Sequence, residues 1–374
     1  MYMLKQIFPL IILGLLFFIS NAQEKEVDST FDESSKTFLP IPIIMNNPTM
    51  KTGLGGAGLY FFKFDKEDKI SPPSMASLFG LYTTNSSYVL IASARLYWNE
   101  DKNRATFITG PIRINHDFVY ENDDSEDLHL VYSELRNYIT AEYSRKIFGD
   151  FYLGVLYLGT KTKYKFDQGT EEENDFTEEF FKQKDITDNF ISSIGLNFSF
   201  DNRDYVYNPT RGLMFSIRPK LNREWLGSDN DYIDTDFTAT YFIPLAVGQV
   251  LGFSLAGGIA TGDVPFDGYQ GYGARNNLRG YPVGKYRGRN MAALQAEYRR
   301  NIYKRWGAVA FAGTGSIWGN EDNGEEAFER TWLPSVGVGA RYMISLEKRI
   351  NLRLDYAVGV DGNQGVYFGI MEAF

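Results

Sequence analysis

The sequence predicts an all-β protein, a 16-stranded antiparallel transmembrane β-barrel, and three observations carry that expectation. Apolar and polar residues alternate with a period of two in segment after segment. Ile194, Leu196, Phe198 and Phe200, for example, oppose Ser193, Gly195, Asn197 and Ser199. The segments run for about 10–13 residues, enough to cross a bilayer at a tilt. Their connections alternate short and long, as do the periplasmic turns and external loops of outer-membrane barrels. A β-sandwich also alternates, but its strands are usually shorter and its apolar face turns inward.

Residues 1–22 read as a signal peptide. Lys5 gives the positive start, 7–19 the apolar core, and Ser20-Asn21-Ala22 a small-x-small cleavage site. That core is shorter than the roughly 20 residues of a spanning helix, and no later stretch reaches such a length without charges. Residues 23–37 then form a short acidic tether, and 38–374 the barrel.

Strands are expected near 38–45, 53–64, 74–83, 87–98, 104–117, 131–147, 151–166 and 188–201 in the first half. The second half places them near 211–223, 230–243, 248–262, 289–300, 306–318, 333–345, 349–360 and 364–373. With Phe374 taken as periplasmic, the joins 301–305 and 346–348 fall inside, and the loops 167–187, 263–288 and 319–332 fall outside. The total is even, as bacterial barrels require. The first strand is the weakest, since Pro40 and Pro42 cannot donate to a ladder. It reads either as a seam or as the irregularity of a chain start.

Composition agrees. Aromatic residues make up 16% of the 374 residues and glycine contributes 36, which suits an apolar outer face and a wet inner one. The absence of cysteine excludes a disulfide framework and a thiolate metal site. A formal charge of −9 with no basic run argues against nucleic acid as a partner.

Two stretches depart from strand patterning. Residues 271–289, with glycines at 271, 273, 280, 284 and 288 around Leu278-Arg279-Gly280-Tyr281, are too polar for a doubly buried strand. They are also too glycine-rich for a helix, at roughly 1 kcal/mol per interior Gly. A connection of this length inside a compact fold is usually functional or disordered, and its internal order argues against disorder. The second stretch is Asp201-Asn-Arg-Asp204 followed by Asn208-Pro209-Thr210-Arg211-Gly212, in which Asn-Pro opens a turn and Gly212 closes it.

These stretches resemble the BamA/TamA barrels of the bacterial surface antigen superfamily, which insert or export proteins at the outer membrane. The resemblance covers nearly the whole mature chain. In that family a long external loop folds into the lumen and presents a hydrophobic-Arg-Gly-aromatic tip, matched here by Leu278, Arg279, Gly280 and Tyr281. The family's periplasmic turn is matched at Asp204, Asn208, Pro209, Arg211 and Gly212. Phe374, the terminal aromatic of an alternating strand, resembles the signal that hands barrels to the assembly machinery, although Glu372 interrupts its apolar face. The short tether leaves no room for the periplasmic POTRA domains that precede most such barrels.

The resemblance implies an acidic partner for Arg279, and Glu297 aligns with the family's glutamate on the inward face of the following strand. The family's second acceptor, an aspartate, is replaced by Gly313; Asp355, inward on a later strand, is a possible substitute. Otherwise Arg279 is a loop arginine satisfied by water. The implied function is insertion or translocation of proteins, or lipids, at the outer membrane, with a weak seam templating an incoming edge. The alternative is a passive channel or structural barrel. Outer-membrane lipids would surround the protein, and client outer-membrane proteins and accessory lipoproteins would be its partners.

Remaining signals are weaker. Gly271-Tyr-Gly-Ala lacks the third glycine of a dinucleotide loop. The acidic runs 123–127 and 171–175 lack the spaced ligands of a calcium loop and read as solvated external loops. His116 and His129 have no Ser or Cys elbow near them, and no hydrolase signature, metal site or cofactor motif is visible. Tyr97, Trp98, Trp225, Tyr303, Trp306, Trp318 and Trp332 fall near strand ends as interface girdles.

Overall fold

The computed structural model describes residues 37–374 except 48, 121–127, 273–277, 320–328, 331 and 347. The expected signal peptide, the tether up to residue 36 and the acidic run 123–127 lie outside the described residues. Sixteen strands close into one antiparallel barrel. They are β1 (Thr37–Asn47), β2 (Lys51–Phe62), β3 (Ser74–Thr83), β4 (Tyr88–Trp98), β5 (Asn103–Tyr120) and β6 (Leu128–Phe148). Then follow β7 (Phe151–Lys165), β8 (Asn189–Asp201), β9 (Gly212–Asn222), β10 (Tyr232–Ala246) and β11 (Gln249–Gly262). The wall ends with β12 (Asn290–Tyr303), β13 (Trp306–Trp318), β14 (Ser335–Ser345), β15 (Ile350–Val358) and β16 (Gln364–Ile370). Most lie within three residues of the expected bounds. β5 and β6, at 18 and 21 residues, run well beyond the length of a bilayer crossing.

Alternation sorts the side chains as the pattern requires. Leu294, Val338 and Leu354 are about half exposed on the outside, whereas Gln295, Glu297, Arg341 and Asp355 on the same strands are buried inside. Short turns at 149–150, 247–248 and 304–305 gather at one end and the long connections 166–188 and 263–289 at the other. The short end is therefore periplasmic. Four connections break this rule: the external links 48–50 and 84–87 are short, and the periplasmic links 63–73 and 202–211 are long.

Three expectations need correction. Residues 171–175 are not a solvated loop but the first turn of α1 (Glu171–Gln183). Thr170 and Glu173 form a reciprocal capping box, and three glutamates sit at the positive end of the helix dipole. Phe181 anchors α1 against Phe118, Leu130, Tyr132 and Phe266. Tyr97 is no girdle residue; it is buried, with Arg104 5.7 Å over its ring. Trp225, Tyr303 and Trp332 are exposed as girdles would be. Phe374 does not end an alternating strand. β16 stops at Ile370, Met371 takes a left-handed φ of 70°, and the Phe374 ring lies 6.3 Å from that of Phe242. Glu372 supplies the reason, since its carboxylate is drawn 2.8 Å from Arg341 inside the barrel.

The closure between β1 and β16 differs from every other junction. Each neighbouring pair elsewhere forms a ladder of seven or more residue pairs, but β1 meets β16 at Asn46↔Val366 alone. Phe368 shares the outward face of Leu354, its ladder partner. Yet Phe368 and Ile370 pack with Ile43, Ala57 and Leu81, on the buried inner face of β1–β3. The end of β16 is thus tucked inside β1 rather than laid beside it.

Candidate functional site in the barrel lumen

The connection 263–289 between β11 and β12 folds into the lumen. It opens with a short turn at Phe266–Gly268, and Gln270–Gly271 pairs with Arg287–Gly288 to make its neck. Its tip is fully buried: Leu278, Arg279 and Tyr281 are at most 1% exposed. Gly280 has φ 108°, and a Cβ there would sit 3.1 Å from the Val358 backbone, so glycine is required. Its amide donates to the Tyr367 hydroxyl on β16 at 2.9 Å. Tyr281 donates to the Pro334 carbonyl and accepts from the Val360 amide. On the far side of the seam the Val283 carbonyl accepts from Thr49, in the β1–β2 turn, at 3.4 Å.

Arg279 lies where the inward parity of Glu297 predicts. Its Nη1 is 2.8 Å from Glu297 Oε2 and donates to Asp355 Oδ2 at 2.7 Å, with all three side chains out of solvent. The Glu297 contact is an ion pair by distance without hydrogen-bond angles. The guanidinium carbon lies 3.4 Å over the centre of the Phe311 ring, a cation–π contact strengthened by desolvation. Asp355 therefore supplies the second carboxylate. Gly313 serves a different purpose, because a Cβ there would meet Leu278 at 3.1 Å and Gln295 at 2.7 Å. Arg299 donates to Glu297 at 2.8 Å, Arg341 bridges Asp355 and Glu372, and Arg353 adds a longer contact to Asp355.

A second anchor was not foreseen. Arg287 donates to Glu134 on β6 at 2.9 Å and lies 4.6 Å over the Phe266 ring. Glu134 also pairs with Arg136 at 2.6 Å and lies 3.3 Å from buried His116. Asp267 accepts from Asn189 on β8. The loop thus stands on two walls, β12–β15 and β6–β8.

The periplasmic motif forms its own turn. Asp204 accepts from the Thr210 amide and hydroxyl at 2.8 and 2.6 Å and from the Arg211 amide at 3.2 Å. Burial opposes ionisation of this carboxyl, but those hydrogen bonds outweigh it and hold it below the ordinary aspartate range. Gly212, at φ 106°, has the Asn202 and Arg203 backbone 2.7 Å from a would-be Cβ. The Pro209 carbonyl accepts from Arg299 at 3.4 Å. Asn208 lines a 410 Å³ cleft at the periplasmic mouth together with Arg299, Arg341 and Glu372. Phe374 reaches the same arginine, its carbonyl accepting from Arg299 at 2.7 Å.

A model of the Omp85 superfamily domain matches residues 81–374. The chain belongs to the Omp85 superfamily. No curated protein matches it. Among solved structures it is similar to BamA of Haemophilus ducreyi lacking POTRA domains 1–3, at 14% identity and a TM-score of 0.55. That match covers 90% of this chain and 70% of the other. CdiB of Escherichia coli matches at 11% identity and a TM-score of 0.59, over 89% of this chain and 62% of that one. CdiB of Acinetobacter baumannii matches at 12% and 0.55, over 90% and 59%. At such identities the likeness is one of fold, and this chain spans about three fifths of either CdiB. An Omp85 barrel of this build resides in the outer membrane of a Gram-negative cell.

Proposed function

We propose that this Omp85 barrel inserts or translocates proteins, or lipids, at the outer membrane, and that its work is physical rather than chemical. The observation that carries the reading is the seam, where a 16-stranded wall closes through the single pair Asn46↔Val366. An unpaired strand edge is a template for another strand. Separating β1 from β16 breaks one backbone bridge instead of a full ladder, leaving side-chain packing as the rest of the closure, while the loop anchored by Arg279 braces the wall beside it. Client outer-membrane proteins and accessory lipoproteins are the partners this reading assigns. A passive channel fits less well, because the loop carries Leu278, Arg279 and Tyr281 into the lumen as side chains buried against the wall.

Depletion of the protein followed by a census of outer-membrane proteins tests the proposal. Broad loss of barrels supports an insertase. Unchanged barrel levels with altered solute permeability would support the channel instead.

A further inference from the structure

The seam has no ladder below Asn46↔Val366, yet its periplasmic half is not loose. One apolar cluster joins Ile41, Leu59 and Phe61 from β1 and β2 to Phe368 and Ile370 from the tucked end of β16. A further part of that cluster comes from elsewhere in the barrel. Tyr207 is buried within it and Tyr205 and Val206 pack against it, all three from the turn between β8 and β9 that carries the Asn-Pro-Thr-Arg-Gly motif.

Each tyrosine reaches a different flank of the seam. Tyr207 is buried, stands edge-on to Phe61 of β2 at 5.7 Å, and donates to the Pro73 carbonyl ahead of β3 at 2.8 Å. Tyr205 donates to the Lys348 carbonyl in the β14–β15 turn at 3.2 Å and lies beneath the Arg349 guanidinium at 5.4 Å. The two rings touch edge to face at 5.9 Å. The turn that presents them is stiff: Asp204 closes it on Thr210 and Arg211, and Arg349 lies 3.6 Å from the same carboxylate.

We infer that the turn 202–211 is a strap that crosses the periplasmic mouth and holds the end of β16 tucked behind β1. Where ladder hydrogen bonds are missing, aromatic burial substitutes for them, at an element that neither seam strand contains. Opening the seam then requires the cluster to divide, with Tyr207 staying on the β2–β3 flank and Tyr205 on the β14–β15 flank. Tyr205 and Tyr207 act as positioning residues for the seam. The motif glycine and aspartate fix the shape of the strap, which accounts for a periplasmic turn more elaborate than its neighbours. The inference rests on reading β1–β16 as the working seam.

The chain has no cysteine, so one introduced thiol reports on one position. In a Met371→Cys background, the purified full-length barrel is treated in detergent, without any client, with a bulky maleimide. Met371 packs half-buried against the strap cluster, so a cysteine thiol at 371 is partly shielded while the strap holds. The paired change Tyr205→Ala, Tyr207→Ala should raise the labelling rate at least tenfold while heat-modifiable mobility still reports a folded barrel. Tyr205→Phe with Tyr207→Phe keeps the rings, loses both hydroxyl bonds and should raise it two- to threefold. If the alanine pair does not fold, the phenylalanine pair decides. Labelling at the wild-type rate in every folded variant overturns the strap. Because no client is present, this outcome is independent of the depletion census, so either reading can fail while the other stands.

Discussion

The Arg279 guanidinium places one nitrogen between two carboxylates, and the charges around it decide what a substitution costs. Arg279, Arg299, Arg341 and Arg353 face Glu297, Asp355 and Glu372 in one buried cage. Removing Arg279 leaves three cations with three anions, so neither carboxylate is orphaned; Arg299 keeps Glu297 and Arg341 keeps Asp355. Removing Glu297 leaves four arginines over two carboxylates. Glu297→Gln should therefore destabilise the barrel by about 3–5 kcal/mol, as expected for a broken buried ion pair. Arg279→Ala should cost less, about 1–3 kcal/mol, while exposing the loop to protease. Arg279→Lys can put an ammonium between the same carboxylates but loses the planar face stacked on Phe311, and should restore only part. Unfolding temperature read from gel mobility ranks the three, and an Arg279→Ala barrel less stable than Glu297→Gln would contradict the charge count. Much of this was legible in sequence: inward parity placed Glu297 and Asp355, and a lumen arginine needs acceptors. Arg287 was not, because Glu134 lies 153 positions away and neither residue sits in a local pattern that points to the other.

Two elements separate what periodicity can see from what it cannot. The wall strands follow directly from alternation, and even the proline-bearing β1 was placed by parity. Helix α1 was missed because an acidic run masked its start signal, Thr170-x-x-Glu173, and its apolar face is only Phe176, Phe180 and Phe181. Thr170→Ala should cost about 1 kcal/mol of local stability. That corresponds to roughly fivefold faster cleavage within 171–183, with the barrel's melting unchanged; an unchanged cleavage rate would mean the cap is dispensable. The seam gives a sharper contrast. A straight ladder through Asn46↔Val366 would bring Pro42 opposite Ile370. Because β16 turns inward, cysteines at 46 and 366 should form a disulfide whereas a pair at 42 and 370 should not. Efficient crosslinking at both would show an ordinary ladder. The tuck escaped sequence reading because Glu372 was weighed as a flaw in an apolar face rather than as a charge bound for Arg341.

At the scale of the whole molecule, sixteen strands enclose more space than side chains of the wall can fill, and barrels of that size commonly hold a water channel. Here the space is taken by segments from both ends. The connection 263–289 enters from outside on two anchors, Arg279 at β12–β15 and Arg287 at β6. From the periplasm come the turn 202–211 and the residues beyond β16, which meet at Arg299 through the Pro209 and Phe374 carbonyls. Shape and charge together make the loop the principal obstruction, since Arg279 and Arg287 are paired with carboxylates of different walls. Reconstituted into a planar bilayer, the wild-type barrel should pass little current. Arg279→Ala should leave one anchor and raise conductance modestly, because Arg287 still holds the neck to Glu134. The double variant Arg279→Ala, Arg287→Ala frees the loop from both walls and should raise conductance about tenfold, with frequent openings as the loop leaves and returns. A wild-type barrel that already conducts like an open 16-stranded pore would show that the lumen is not blocked. A double variant no leakier than the single one would show that Arg287 braces nothing.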